Sequence, residues 1–170
     1  MEKRDLYDIN RKLTGKTIYK NAQVPDGNYI IVVLIFIKNS KGEFLIQKRS
    51  KRKDGTYAFT GGHAKSGETS IQAMCTEVKE EIGITLREDE LELIYSGRSD
   101  RGHVFFDLYY IERDFKIEDM VLQEEEVEFV EWCSTEKIRK LINDGVFKSN
   151  HIEDFFRMLD IFKKRGINLE

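Results

Sequence analysis

Three glutamates at helical spacing are the residues with the clearest capacity for chemistry. Glu77, Glu80 and Glu81 lie in a segment with a period of 3.6 residues, beside an apolar stripe. Side chains three and four positions apart on a helix are about 5–6 Å from one another, so these like charges repel. Hard divalent cations such as Mg²⁺ or Mn²⁺ prefer clustered oxygen ligands. The spacing is compatible with a metal site, but on these three residues alone an acidic surface helix is the favoured interpretation.

A metal held by these carboxylates has a definite use. It polarises a phosphoryl oxygen and lowers the pKa of a bound water molecule. A carboxylate that is not fully engaged as a ligand accepts the proton of that water. The chemistry predicted for such a cluster is hydrolysis at phosphorus.

A helix from about Thr69 to Ile82 must position these carboxylates. Thr69 and Gln72 have the spacing of a capping box, which satisfies the free N–H groups at a helix start. Gly83 is a natural C-terminal stop, because glycine adopts the left-handed conformation that ends many helices.

The rest of the chain predicts a mixed α+β domain with helices flanking a sheet. Residues 29–37 are β-branched and continuously apolar, which is typical of a central strand buried on both faces. Arg49–Thr56 is polar and predicts a loop. An amphipathic helix is expected at about 151–165. Its apolar stripe is expected in the core and consists of Ile152, Phe155, Phe156, Leu159 and Phe162. The other expected strands are 6–9, 14–19, 43–48, 91–96, 104–111 and 127–133, followed by a helix from Ser134.

Composition excludes several classes of protein. The 170 residues carry a net charge of −3, which argues against a general nucleic-acid binder. No apolar run is long enough to span a membrane, and no targeting segment follows the charged N-terminus, so we expect a cytoplasmic protein. Cys75 and Cys133 are far apart without a CxxC partner, so we expect two buried thiols rather than a disulfide or zinc site.

The acidic helix lies within a longer pattern. Gly62 is followed after five residues by Glu68, then after eight by Glu77-Val78, Glu80-Glu81 and Gly83-Ile84. This spacing resembles the Nudix box, G-x5-E-x7-R-E-U-x-E-E-x-G-U with U a bulky apolar residue, at eight of nine specified positions. The resemblance covers about residues 5–145, with the box at 62–84. It implies a single domain over residues 1–170 with the Nudix α/β/α sandwich and a mixed central β-sheet.

The resemblance also implies a function. The expected reaction is Mg²⁺-dependent hydrolysis of a diphosphate linkage in a nucleoside diphosphate joined to a group X, with Mn²⁺ as a substitute metal. The expected partner is that small molecule, with no nucleic acid or membrane, and a homodimer is consistent with the family. Neither X nor the oligomeric state can be read from the sequence.

Particular residues acquire roles from the same resemblance. Glu77, Glu80 and Glu81 are expected as metal ligands and catalytic residues, and Glu68 belongs to the same site. Two further ligands are expected, the carbonyl of Gly61 and one acid of the later acidic loop; Glu125 is the candidate, with Glu124 and Glu126 left open. The expected substrate-binding residues are Arg49, Lys48 and His63, although the basic cluster is equally typical of a solubilising turn and His63 of a loop.

One position departs from the box. Thr76 stands where the family has an arginine that holds the neighbouring carboxylates, and threonine lacks its charge and bidentate geometry. Either another cation, Lys65 or Lys79, replaces the arginine, or the chain is a catalytically weak Nudix-fold module that binds a nucleotide.

A third alternative is chemistry like that of isopentenyl-diphosphate isomerase, which the pair Gly62-His63 also resembles. Those enzymes use a cysteine directly before that pair and several upstream histidines. Gly61 occupies the cysteine position here, and no histidine precedes Gly62. Isomerase chemistry is therefore the weakest of the three hypotheses.

Overall fold

Strands occupy the first 63 residues, and the rest of the chain holds three helices and three more strands. The computed structural model describes all 170 residues. The strands are β1 (Lys3–Tyr7), β2 (Leu13–Tyr19), β3 (Ile30–Lys38), β4 (Phe44–Arg49), β5 (Tyr57–Ala58), β6 (Thr60–His63), β7 (Glu92–Ser99), β8 (Val104–Glu112) and β9 (Val127–Cys133). The helices are α1 (Ser70–Ile82), α2 (Thr135–Asn143) and α3 (Ser149–Lys164). None of them is both long and apolar enough to cross a membrane.

Seven strands form one mixed sheet. Its order is β5-β4-β3-β8-β7, with β6 also paired to β3 and β9 to β4. Strands β3 and β8 run parallel in unbroken register from Ile30 opposite Val104 to Lys38 opposite Glu112, while the other pairs are antiparallel. The apolar composition of β3 follows from this central position, because both of its faces are covered.

Helices cover both faces of the sheet, as the alternating side chains of β3 require. Val33 and Ile35 pack with Met74 and Val78 of α1 in one hydrophobic cluster. Leu34 and Phe36 point to the opposite cluster, which α2 and α3 complete. The predicted α/β/α sandwich is confirmed.

The N-terminal strands β1 and β2 form a separate hairpin beside the start of α1. The carboxylate of Asp5 accepts hydrogen bonds from the Ser66 hydroxyl at 2.6 Å and from the Gly67 N–H at 2.8 Å. Arg11, after β1, donates to both oxygens of the buried Asp107 of β8. The hairpin is therefore fixed to the loop that leads into the acidic helix.

Two predictions about buried side chains need correction. Phe156, expected in the core stripe of the last helix, is 39% exposed, because that face of α3 turns outward. Cys133 is buried as expected and Cys75 only partly so, although both are free thiols. Strand β1 also begins three residues earlier than predicted, because Lys3 already pairs with Tyr19.

Candidate active site

Helix α1 begins and ends where its capping residues predict. The Thr69 hydroxyl accepts a hydrogen bond from the N–H of Gln72, and the Gln72 side chain accepts one from the N–H of Thr69. At the other end Gly83 adopts a φ of 75°, and its N–H donates to the carbonyl of Lys79. These local interactions fix the register of the three glutamates on the helix.

A cavity of about 970 Å³ opens beside this helix. Glu77, Glu80 and Glu81 all line it. The short strand β6 contributes Gly61, Gly62 and His63 to the same wall, and α3 closes another side. The structure thus places the predicted carboxylates, Gly61 and His63 around one cavity.

The carboxylates of Glu77 and Glu81 are unusually reluctant to ionise. Burial raises the pKa of Glu81 to about 8, with the charge of Glu77 as the second cause. Burial, followed by the charge of Glu80, raises the pKa of Glu77 to about 7. One oxygen of Glu81, Oε2, is buried without a hydrogen-bond partner. A cation in the cavity would relieve both the repulsion and the unmet desolvation cost.

Gly62 allows Glu77 to approach the strand. A methyl group at Gly62 would collide with the carboxylate of Glu77. A side chain at this position would therefore displace the Glu77 carboxylate.

Lys65 and Thr76 contact two glutamates of the box. Lys65 Nζ lies 2.5 Å from Oε1 of Glu80. The Thr76 hydroxyl donates to Oε2 of Glu68 at 2.7 Å, and the Lys65 N–H donates to Oε1 at 2.8 Å. Glu68 does not line the cavity, so its observed contacts join the loop to the helix.

Among the three acids of the loop before β9, only Glu126 lines the main cavity. Glu126 lines the main cavity, whereas Glu124 and Glu125 are exposed and line a smaller depression. Glu126 forms a 2.8 Å ion pair with Lys53. Glu125, the residue predicted as a ligand, therefore does not line the main cavity, whereas its neighbour Glu126 does.

Strand alternation separates the two basic candidates of β4. Arg49 lines the cavity and pairs with Asp54 at 2.9 Å. Lys48 points to the other face, where its ammonium contacts the Gly55 carbonyl and lies 5.1 Å from the centre of the Tyr57 ring. Lys48 therefore does not reach the cavity.

Several cavity residues were missed because they come from distant parts of the chain. Arg4 arrives from the N-terminal hairpin and Lys148 from the start of α3. His151 is buried in α3, where its Nδ1 accepts a 3.2 Å hydrogen bond from the Phe59 N–H. No local motif marks these positions. His63, which was predicted, has its pKa lowered to about 4 by burial and then by Arg4, so it is neutral.

Comparison with known proteins matches residues 28–155 to the NUDIX domain. The chain belongs to the Nudix family. A Nudix hydrolase from Listeria innocua is 38% identical over 151 residues, which cover 86% of this chain and 88% of that protein. An isopentenyl-diphosphate Delta-isomerase from Corynebacterium diphtheriae is 26% identical over 155 residues, 84% of each protein.

The fold agrees with this membership. A crystal structure of a protein from Deinococcus radiodurans superposes with a TM-score of 0.76 at 21% identity, covering 92% of this chain and 98% of that one. The predicted superfamily, Nudix fold and enzyme class, a Nudix pyrophosphohydrolase, are confirmed.

The acidic side of the cavity suits the divalent cation expected in this family. Its donors are carboxylate oxygens, which Mg²⁺ prefers, and Oε2 of Glu81 lacks any other partner. No three acidic, histidine or cysteine side chains have donor atoms already gathered around one point. Lys65 holds Glu80 instead, so Glu80 must exchange this lysine for the cation if it is to become a ligand.

Proposed function

We propose that this chain hydrolyses the diphosphate linkage of a nucleoside diphosphate joined to a second group, with Mg²⁺ or Mn²⁺ as cofactor. The observation that carries the proposal is a pair of carboxylates, the partly buried Glu77 and the buried Glu81, that face one large cavity without a cation of their own. Such a pair is costly to ionise unless a cation is bound. A nucleotide of this class also fits a cavity of about 970 Å³.

The cavity residues have distinct proposed roles in metal binding and proton transfer. Glu77, Glu80 and Glu81 would hold the cation, with Glu126 and the Gly61 carbonyl as further oxygen donors. The bound cation supplies charge neutralisation for phosphoryl oxygens and acidifies water. A carboxylate of this set takes the proton of the attacking water, the P–O bond to the bridging oxygen breaks, and the products are a nucleoside monophosphate and the phosphorylated second group.

The remaining residues position these groups. Thr76 holds Glu68, which secures the loop between β6 and α1. Gly62 leaves room for Glu77. We assign Arg49, paired with Asp54 at the cavity wall, to substrate phosphate binding, because guanidinium groups match phosphate geometry.

Isomerase chemistry has less support despite the relative of that name. Protonation of an alkene by a cysteine requires a thiol in the cavity, and neither cysteine of this chain lines it. Gly61 lies at the position expected for that cysteine. The structure therefore favours hydrolysis.

A panel assay tests the proposal. Nucleoside diphosphate sugars, ADP-ribose and dinucleoside polyphosphates would be incubated with Mg²⁺ or Mn²⁺, and nucleoside monophosphate release measured by chromatography. We expect Glu81→Gln and Glu77→Gln to lower turnover by about 100-fold or more, because each removes a charge that holds the cation. Glu88→Gln, on an exposed turn after α1, is the matched control and should retain activity.

Two outcomes would contradict the proposal. Full activity of Glu81→Gln would show that the cavity carboxylates do not act in turnover. Tight nucleotide binding measured calorimetrically, with no product from any member of the panel, would support the alternative of a binding module.

A further inference from the structure

Two buried side-chain atoms in the whole chain lack a hydrogen-bond partner, and both belong to residues lining the same cavity. They are Oε2 of Glu81 and Nε of Arg4. An unsatisfied buried polar atom costs about 1–3 kcal/mol, and more when it is charged, so proteins rarely retain one without a use. The first atom belongs to an acidic side chain and the second to a basic one. Together they match a cation and an anion that bind side by side.

Hydrogen bonds of the neighbouring residues fix the backbone at Arg4, although the guanidinium itself has no partner. On one side of it the Lys3 carbonyl accepts a 2.8 Å hydrogen bond from the Ser66 N–H. On the other side Asp5 is bonded to Ser66 and Gly67. The side chain of Arg4 lines the cavity, and its Nε is buried there. The backbone thus presents Arg4 to the cavity from a fixed position.

The charge of Arg4 is free for a ligand, unlike that of most basic residues at the cavity wall. Arg49 pairs with Asp54, Lys53 with Glu126 and Lys65 with Glu80. Arg4 takes part in no ion pair.

The Arg4 guanidinium also lies close to charged and ionisable groups of the cavity. The charges of Glu2 and Glu77 act on Arg4, and Arg4 in turn acts on His63. A group bound to Arg4 therefore lies within electrostatic reach of the proposed metal-binding carboxylate Glu77. Guanidinium groups bind phosphate oxygens through two parallel hydrogen bonds, which a lysine cannot reproduce.

We propose that Arg4 binds a non-bridging phosphate oxygen of the diphosphate, so that the N-terminal hairpin forms part of the substrate site. The inference rests on the proposed function for the identity of the ligand as a diphosphate. It assigns the phosphate contact to a residue outside the Nudix box and outside the matched domain at residues 28–155.

Binding of an analogue that cannot be hydrolysed separates this inference from the proposed function. The probe is α,β-methylene-ADP in the presence of Mg²⁺, titrated calorimetrically into wild-type protein and variants. We expect Arg4→Met to raise Kd by roughly 10- to 100-fold, as for the loss of hydrogen bonds to a charged group. Arg4→Lys should recover only part of the affinity, because it restores charge without the planar geometry.

The control is Lys16→Met, which removes an exposed charge from strand β2 of the same hairpin. It should leave Kd unchanged. Thermal melting without ligand checks folding: Arg4→Met should melt at or above the wild-type temperature, because the unpaired guanidinium stabilises nothing in the free protein.

Three results would overturn the inference. They are an unchanged Kd in Arg4→Met, equal losses in Arg4→Met and Lys16→Met, and wild-type protein that does not bind the analogue. Arg4-dependent binding with no hydrolysis across the substrate panel would retain this inference while removing the proposed enzymatic function.

Discussion

The hydroxyl of Thr76 lies 2.7 Å from Oε2 of Glu68 and donates a hydrogen bond to it. The contact joins the middle of α1 to the loop that precedes the helix. The other oxygen of Glu68 accepts from the Lys65 N–H, and the side chain of Lys65 reaches Glu80. Threonine and lysine together therefore connect the residues that a box arginine would be expected to hold.

Removing this hydroxyl should weaken the site without unfolding the helix. In Thr76→Val the shape is kept and the hydrogen bond to Glu68 is lost, at a cost of about 1.5 kcal/mol. We expect the Mg²⁺ concentration for half-maximal activity to rise, or kcat to fall, by about tenfold. Steady-state kinetics over a Mg²⁺ titration measure both quantities.

Two further substitutions control for this effect. Thr76→Ser retains a hydroxyl and should stay within about twofold of wild type, as the hydrogen bond can still form. Thr76→Arg tests whether Lys65 already supplies the positive charge of the missing arginine. If it does, the Mg²⁺ dependence of the variant stays unchanged. Wild-type kinetics in Thr76→Val would show that Glu68 needs no support from the helix.

The stability of the metal-free protein should fall as the pH rises. The pKa of Glu81 is about 8 in the folded protein, against 4.5 for a solvated glutamate side chain, mainly because the carboxyl is buried. The folded state therefore retains a proton that the unfolded state releases. This contribution is fully present below about pH 4.5 and is lost as the pH rises through 8.

Glu81→Gln should remove the part of this dependence that Glu81 contributes, while the raised pKa of Glu77 leaves a smaller one. In chelator at pH 8.5 we expect the variant to exceed wild type in free energy of unfolding by about 4 kcal/mol, with only a small difference left near pH 5. Urea unfolding between pH 5 and pH 9 measures the difference, with the exposed Glu88→Gln as control. Identical pH profiles in wild type and Glu81→Gln would exclude a buried titrating carboxyl at position 81.

Gly62→Ala should damage catalysis more than folding. The added methyl group collides with the Glu77 carboxylate, which must move away from the strand. We expect turnover to fall by about 100-fold, because displacement of a catalytic group by about 1 Å has an effect of that size. The control Gly102→Ala meets no atom closer than 3.4 Å and should remain active. Activity within threefold of wild type in Gly62→Ala would show that Glu77 tolerates displacement.

The acidic helix could be predicted from sequence because its determinants are local. Thr69, Gln72 and Gly83 fix its two ends within the segment itself. Strand β3 could also be predicted from sequence, because an uninterrupted apolar run is typical of a strand covered on both faces. Strands β5 and β6 were not predicted; both are very short, and β6 contains two glycines.

Side-chain direction and long-range contacts were harder to predict. Lys48 and Arg49 are adjacent in a basic cluster, but strand alternation sends them to opposite faces. The choice of Glu126 over Glu125 likewise depends on how the loop docks, with the Ser50 N–H donating to the Glu126 carbonyl at 2.9 Å. Arg4 reaches the cavity only because a hairpin distant in sequence is anchored beside α1. No spacing rule encodes that contact.

Seven acidic and seven basic side chains line the large cavity, so their charges cancel when all of them are ionised and no ligand is bound. A cation alone, or a phosphate chain alone, upsets that balance, whereas the two together preserve it. Thermodynamic reciprocity then requires each ligand to raise the affinity for the other by the same factor. A titration with either one in isolation would underestimate how tightly the pair is held.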